Sequence, residues 1–454
     1  MTEEGQFRSR RPRTLVLELA VILVLLAAAG VSIYLVARPK AVHTERRLAG
    51  REQDVSRNGR TQYAPALALD PSNPRVLLAG SSDDLDDTRV YESTDGGERW
   101  SSTPSPPLLR AACDTDHPAV AIEPGGRQLY AFTVTPFCDV QTPRLHVGSR
   151  DGAGGRWHIS AVAPVRGYVA DQNVQLAAGG ATAYLAWVRK PRRYSDRLVA
   201  LFSRSRDGGR MWSAPLRLPL RVPLALEVAA RADGEVYLAG AEGATGELEL
   251  MRSVDGGRSF GQPRVVAKLH SVADPACPGL PLPPQPRTCV SPAPSLALTP
   301  SGAVAVAWTD TDPNMTGGVR IATFSHTLKP LVAPRRIGPA DPKPSDQFDV
   351  SLAVDASTGG LWACYEDTFG DPYRRQTWTT CTLSHDVGRR WHAPVRVAGR
   401  SSDETQTAAH VYGYGSLALA AADGTAHVLW TDTRRLLTEN EEIFASSVSA
   451  RDLR

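Results

Sequence analysis

The sequence carries almost no excess of charge of either sign. Fifty-one Lys and Arg face 48 Asp and Glu, a net charge of +3, and no basic block after residue 60 is long enough to track a phosphate backbone. Nucleic acid is thus not expected as a partner. Helical periodicity is missing as well: beyond residue 40 no long stretch repeats its apolar positions with a 3.6-residue period. The chain has no glycine-rich phosphate loop between a strand and a helix and no G-x-S-x-G elbow, and His117 and His410 stand without metal ligands at a recognisable spacing. No cofactor and no metal site are therefore expected. Gly (38) and Pro (35) are frequent but follow no G-X-Y period, and 42% apolar residues among 454 exceed what a disordered chain carries, so collagen and disorder are excluded. A chain of this length can bury a large core, in several domains or in one large repeat fold.

What is present begins with one long apolar run. Residues 15–37 read LVLELAVILVLLAAAGVSIYLVA with Glu18 as the single charge, and a helix of that length spans about 34 Å, enough to cross a bilayer. The run predicts a transmembrane signal-anchor after a short cytoplasmic tail over residues 1–14. A cleaved signal peptide is the alternative, but its apolar region is normally ~7 to 15 residues, and its small-residue cleavage site would have to lie between Ala27 and Gly30. Flanking positive charges do not fix the orientation, because Arg8, Arg10, Arg11 and Arg13 face Arg38, Lys40, Arg46, Arg47 and Arg51. The 6 cysteines all follow residue 110, an even number that points to disulfides and an oxidising compartment. Cys113 and Cys138 flank a turn-like Pro124-Gly125-Gly126, Cys364 and Cys381 flank a Gly/Pro/Asp connection, and Cys277 and Cys289 close one loop. Local bridges are the expectation, with reduced buried cysteines as the alternative. The expected location is the cell membrane, single-pass, with the C-terminal domain extracytoplasmic.

A repeat organises the rest. Ser93, Asp95, Gly97 and Trp100 recur as Ser205, Asp207, Gly209 and Trp212, as Ser253, Asp255, Gly257 and Phe260, and as Ser384, Asp386, Gly388 and Trp391. A copy with one extra residue carries Asp151 and Trp157. The physics of S-x-D-x-G-x-x-W is local: the Ser and Asp oxygens accept backbone N–H bonds in a tight turn, Gly supplies a positive φ, and the ring folds back onto the apolar layer. Ahead of each turn stand two apolar strands joined by a short turn, as in APALALDPSNPRVLLAG, and a third strand follows. That unit is found again without a good turn in APSLALTPSGAVAVAWTD and GSLALAAADGTAHVLWTD, seven units in all by our count of the sequence. The spacing is that of four-stranded propeller blades, so the expected fold is an all-β propeller over residues 61–454, with seven repeats counted and six blades possible. The seventh unit ends without an outer strand. A segment within Ala41 to Asp54, inside a linker over residues 38–60, is expected to supply it and close the ring.

These residues resemble the Asp-box (BNR) repeat β-propellers of the sialidase-like superfamily, over roughly residues 60 to 450. The resemblance implies that the Ser/Asp turns are structural and face away from the ligand, which binds over the central channel. It further implies a carboxylate-clamping arginine triad, an acid and a Tyr nucleophile partnered by Glu. The family's entry Arg-Ile-Pro is Tyr63-Ala64-Pro65 here, so the first clamping Arg is missing. Candidate catalytic residues are Asp83, Asp84, Asp86 or Asp87 as the acid, Tyr412 or Tyr414 as the nucleophile, and Glu366 and Asp432 as further carboxylates. Candidate ligand-binding residues on the same face are Tyr63, Asp116, His117, Arg189, Asp310, Arg375 and Arg434. The acidic run DDLDD also reads as a solvated loop, and the W-T-D triplets at Trp308 and Trp430 as an aromatic ending a strand with an Asp starting a turn. The expected function is a membrane-anchored module that binds a surface glycan or an envelope protein, with a glycoside hydrolase as the alternative.

Overall fold

The computed structural model of the chain describes residues 46–57, 61–83, 88–107, 115–134, 144–162, 170–190, 198–221, 223–243, 245–270, 280–282, 285–290, 292–311, 316–338, 345–403, 417–434 and 441–453. The tail and apolar run expected over residues 1–37 lie outside them. Among the described residues no helix is long and apolar enough to cross a membrane.

Alternating apolar strands joined by Gly-, Pro- and Asp-containing turns fold into seven antiparallel sheets, each built on a four-strand path. Their innermost strands are Gln62–Leu69, Thr115–Ile122, Ala170–Gly179, Pro223–Ala230, Ser295–Leu298, Gln347–Val354 and Leu417–Ala422, the blades 1 to 7 of a propeller. Each inner strand touches the inner strands of the preceding and following blades, and that of blade 7 returns to blade 1. Among the described residues no strand of blade 7 follows Glu442–Ser449. Gln53–Asp54 supplies its fourth strand, with Gln53 opposite Ala445 and Asp54 opposite Phe444, so the two ends of the ring share one sheet. A hairpin of Leu280–Leu282 with Gln285–Val290 stands between blades 4 and 5.

Sheets stacked around an axis bury both faces, and the core accordingly divides into one apolar cluster per blade interface. Leu78, Val90, Ile122 and Phe132 join blades 1 and 2; Leu129, Val147, Leu185 and Trp187 join 2 and 3; Phe202, Leu226, Val236 and Met251 join 3 and 4. Leu250, Val306 and Trp308 join 4 and 5, Ile321, Leu352 and Tyr365 join 5 and 6, and Trp362, Leu383, Val428 and Trp430 join 6 and 7. Ala79, Tyr91, Leu429 and Ile443 complete the circle, joined by Val55 from the N-terminal segment. Trp187, Trp308, Trp362 and Trp430 are fully buried on second strands, and each ring contributes on the order of 4 kcal/mol by area.

The Ser/Asp turns join third strands to outer strands and stitch neighbouring blades. In blade 3 the Ser205 hydroxyl accepts the Gly209 N–H at 2.9 Å, and Asp207 Oδ1 accepts the N–H groups of Arg210 and Met211 at 3.1 and 2.9 Å. Ser93, Ser253 and Ser384 accept from Gly97, Gly257 and Gly388 in the same way. The glycine is required twice over: Gly97 sits at φ 82°, and a Cβ there would lie 3.2 Å from His427 Nδ1 and 3.3 Å from Ser447 Oγ of blade 7. Gly209 abuts Leu129 of blade 2 in the same manner, and the Trp212 indole donates to Ser160 of that blade. The copy with the extra residue departs from this pattern. Asp151 is three-quarters exposed and pairs with Arg127, while Trp157 donates to the Pro104 carbonyl of blade 1.

Cys364 and Cys381 stand directly opposite each other on the second and third strands of blade 6 and form a disulfide inside the apolar cluster of blades 6 and 7. The other two expected pairings, Cys113 with Cys138 and Cys277 with Cys289, involve side chains outside the described residues.

Candidate functional site

The face opposite the Ser/Asp turns is where inner strands begin and second strands end. Five of the seven inner strands, as described, enter it through β-bulges. Register slips occur between Tyr63 and Ala66, Asp116 and Ala119, Gln172 and Gln175, Pro223 and Ala225, and Phe348 and Ser351. Ala64, Asn173 and Asp349 occupy the same bulge position with φ of 51°, 52° and 49°. Asn and Asp tolerate this region, whereas Ala64 is strained there by roughly 1 kcal/mol. The bulges also lock blades together: Asn173 Oδ1 accepts the Leu226 N–H of blade 4 at 3.1 Å, and the Asp349 N–H donates to Thr309 of blade 5 at 3.1 Å.

Five second strands carry a charged residue at one register position, Asp83, Arg189, Asp310, Asp367 and Asp432, and each of these is paired. Asp83 is fully buried and accepts from Arg89 Nε and Nη2 at 2.8 and 2.5 Å. Arg189 holds Asp171 through two bonds of 2.6 and 2.7 Å. Asp310 accepts from the backbone and ring nitrogens of His270, both at 2.9 Å. Asp367 pairs with Arg46, and Asp432 accepts from Trp430 Nε1 at 2.9 Å and from Arg434 Nε and Nη2 at 2.8 and 2.6 Å. Burial removes water from these carboxylates, and the guanidinium or imidazole takes its place. The triplet at Trp430 is therefore a device in which the indole and an arginine anchor the same buried carboxylate; the Trp308 triplet ends likewise on a buried Asp310, which Arg320 Nε approaches at 3.6 Å.

Of the candidate acids, Asp83 and Asp432 thus sit in buried ion pairs. Asp84, Asp86, Asp87, Tyr412 and Tyr414 lie outside the described residues, as does the side chain of His117. Asp116 is half-buried and accepts from the Ser82 hydroxyl at 2.5 Å, and Arg375 reaches Asp403 at 3.2 Å. Tyr63 is half-buried at the entry of blade 1.

Glu366 behaves differently. It is buried, its Oε1 accepts the Thr379 hydroxyl at 2.9 Å, and burial pushes its carboxyl up to about 8 against that hydrogen bond, helped by the charges of Asp349 and Asp432. It is protonated at neutral pH.

Between the bulges lies a cavity of about 250 Å³, lined by residues of every inner strand or of the segment leading into it, from Ala64 of blade 1 to Leu419 of blade 7. Its wall is mostly small or aliphatic, with Asn173, Gln175, Glu227, Ser295, Asp349 and Ser351 as the polar groups. Glu227 has protein on all sides although part of its surface reaches the lumen, and desolvation alone pushes its carboxyl up to about 8. Sequence reasoning passed over Glu227, Gln175 and Ser351. The signal that could have found Glu227 is a lone charge in the inner strand PLALEVAA, where the flanking residues are apolar.

No protein-family model matches the chain, and no curated protein does. Solved structures do. The chain is similar to the BP39L lectin from Burkholderia pseudomallei, at a TM-score of 0.54 and 12% identity over 86% of this chain and 97% of that one. It is similar to a protein of unknown function from Dyadobacter fermentans DSM 18053, at 0.51 and 13% over 89% and 98%. An α-L-arabinanase from Penicillium chrysogenum follows at 0.48 and 10% over 89% and 99%. At these identities what is shared is the fold: the chain is a seven-bladed, four-stranded β-propeller.

Proposed function

We propose that the protein is a glycan-binding module of the cell envelope, a sialidase-like propeller held outside the cytoplasm by the apolar segment over residues 15–37, which receives its ligand at the bulged mouth of the central channel. The observation that carries this reading is the commitment of the mouth arginines. Arg46, Arg89, Arg189, Arg374 and Arg434 each hold a buried carboxylate of the protein itself. Withdrawing one to clamp a substrate carboxylate would strand an uncompensated buried charge, at a cost of about 3 to 5 kcal/mol. Together with the Tyr63 tripeptide in place of an entry Arg, this argues against a sialic acid clamp and for a site that binds. The buried Cys364–Cys381 disulfide supports an oxidising location. A glycan array probed with the propeller from residue 41 onward tests the reading. Retention of one glycan class is expected, and capture of an envelope protein with no glycan bound would move the ligand class to protein.

One observation favours a second reading, hydrolysis. Glu366 keeps its proton at neutral pH beside Asp349 and Asp432, the state a general acid requires. Turnover of an aryl glycoside that disappears in Glu366→Gln would establish it.

A further inference from the structure

Register places one ring of residues at the same depth of the channel. Gln175, Glu227, Ser295 and Ser351 stand opposite Ala186, Ala239, Ala307 and Cys364, each three residues before the charged end of its second strand. Ser295 is engaged, accepting the Leu352 N–H at 2.9 Å. Gln175, Glu227 and Ser351 line the cavity and have no side-chain hydrogen bond among the described residues. Two carboxyls, those of Glu227 and Asp349, line the cavity, and no Lys, Arg or His among the described residues does. Gln175, Glu227 and Ser351 are each half-buried on their inner strands, so an amide, a carboxyl and a hydroxyl from three blades are presented to one lumen as hydrogen-bonding groups for what enters it. The cavity has room for roughly eight waters at ~30 Å³ each, enough for the end of a ligand rather than its whole length.

We infer that the channel below the mouth is a subsite for a protonated amino group, carried by an amino sugar at the end of the bound glycan, with Glu227 as its counter-charge and Gln175 and Ser351 as further acceptors. This rests on the glycan-binding reading above and narrows it to a ligand class. An anionic sugar is disfavoured because it would meet carboxyls and no cation. A neutral sugar could use the hydroxyl, the amide and the protonated carboxyl but would gain no ion pair. The entering ammonium stabilises the ionised form of Glu227, so the carboxyl's proton passes to the buffer as the ion pair forms. Gln175 of blade 3, Ser295 of blade 5 and Ala239 on its own sheet face Glu227 and do not titrate; Asp349, at the bulge level of blade 6, is the other charged group of the cavity. Net release of protons on binding of the ammonium form is therefore expected below about pH 8, because burial raises the Glu227 carboxyl and the ion pair lowers it again.

The experiment is titration calorimetry of the full chain in detergent with glucosamine and with N-acetylglucosamine, each in buffers of different ionisation enthalpy, repeated on Glu227→Gln and Gln175→Ala. Glucosamine is expected to bind with proton release, N-acetylglucosamine to bind about tenfold more weakly or worse, and Glu227→Gln to erase that preference. Proton release is read on the unaltered protein, so the test stands even if a variant fails to fold. Equal binding of the two sugars, binding of glucosamine without proton release, or an unchanged preference in Glu227→Gln would overturn the inference and leave the glycan module intact. Binding of no sugar of any class would remove both.

Discussion

Arg434 binds both carboxylate oxygens of Asp432, at 2.8 and 2.6 Å, and with its remaining nitrogen reaches Glu52 at 2.6 Å, across the seam where the two ends of the ring meet. The same guanidinium lies 4.2 Å from the Phe444 ring, on the strand that Gln53–Asp54 extends. Burial alone would weaken its charge, but the two carboxylates more than offset this and hold it protonated. Arg434→Ala leaves Asp432 buried and unpaired, and should cost about 3 kcal/mol in denaturant unfolding, whereas Glu52→Gln should cost about 1 kcal/mol. Equal, small effects would mean that the seam is not held by this triad.

Deleting residues 41–54 from a soluble form should destabilise the entire ring, because the outer edge of blade 7 and the Glu52 contact are lost together. A single cooperative melt shifted downward by several degrees is expected; an unchanged melting temperature would refute closure by this strand.

Gly97→Val places a branched side chain at positive φ against His427 and Ser447, and Asp207→Ala removes the acceptor of two turn N–H groups. The first should cost about 2 kcal/mol or more and the second about 1 kcal/mol, without altering ligand affinity. Loss of affinity at an unchanged melting temperature would place these turns at the ligand, against their position on the far face.

The pH dependence of stability follows from buried groups of both kinds. Glu366 is pushed by burial from 4.5 up to about 8, so its contribution is full below the unfolded value and is lost as pH rises through 8. His146 and His427 are pushed by burial from 6.5 down to about 4; their contribution is present above 6.5 and lost as pH falls through 4. Asp95, lowered from 3.8 to about 2 chiefly by the Arg99 hydrogen bond, adds a loss at still lower pH. Stability should peak in mildly acidic solution. In Glu366→Gln the decline between pH 5 and pH 8 should shrink, by on the order of 2 kcal/mol, in melts across that range. An identical pH profile would show that Glu366 ionises normally in the folded chain.

The fold was largely legible in the sequence because a propeller writes itself several times over. The Ser93, Ser205, Ser253 and Ser384 turns, the paired apolar strands and the missing seventh outer strand each had a local physical cause, and Gln53–Asp54 completes the seventh blade. The site was far less legible. Asp83 and Asp432 read as available carboxylates, yet burial and the arginines six and two residues further on turn them into ion pairs that a linear scan does not reveal. Glu227, Gln175 and Ser351 lie in different blades, and only closure of the ring brings them to one level of one channel. Asp84, Asp86, Asp87, Tyr412 and Tyr414 lie outside the described residues.

The most direct test of the claim that this mouth binds rather than cleaves is hydrolysis of a panel of fluorogenic aryl glycosides, sialoside included, by the propeller from residue 41 onward, alongside Asp83→Asn and Glu366→Gln. No turnover of any substrate, in a preparation that still retains a glycan on an array, is the predicted result. Turnover that Glu366→Gln abolishes would contradict it and make the protein a glycosidase with Glu366 as the proton donor.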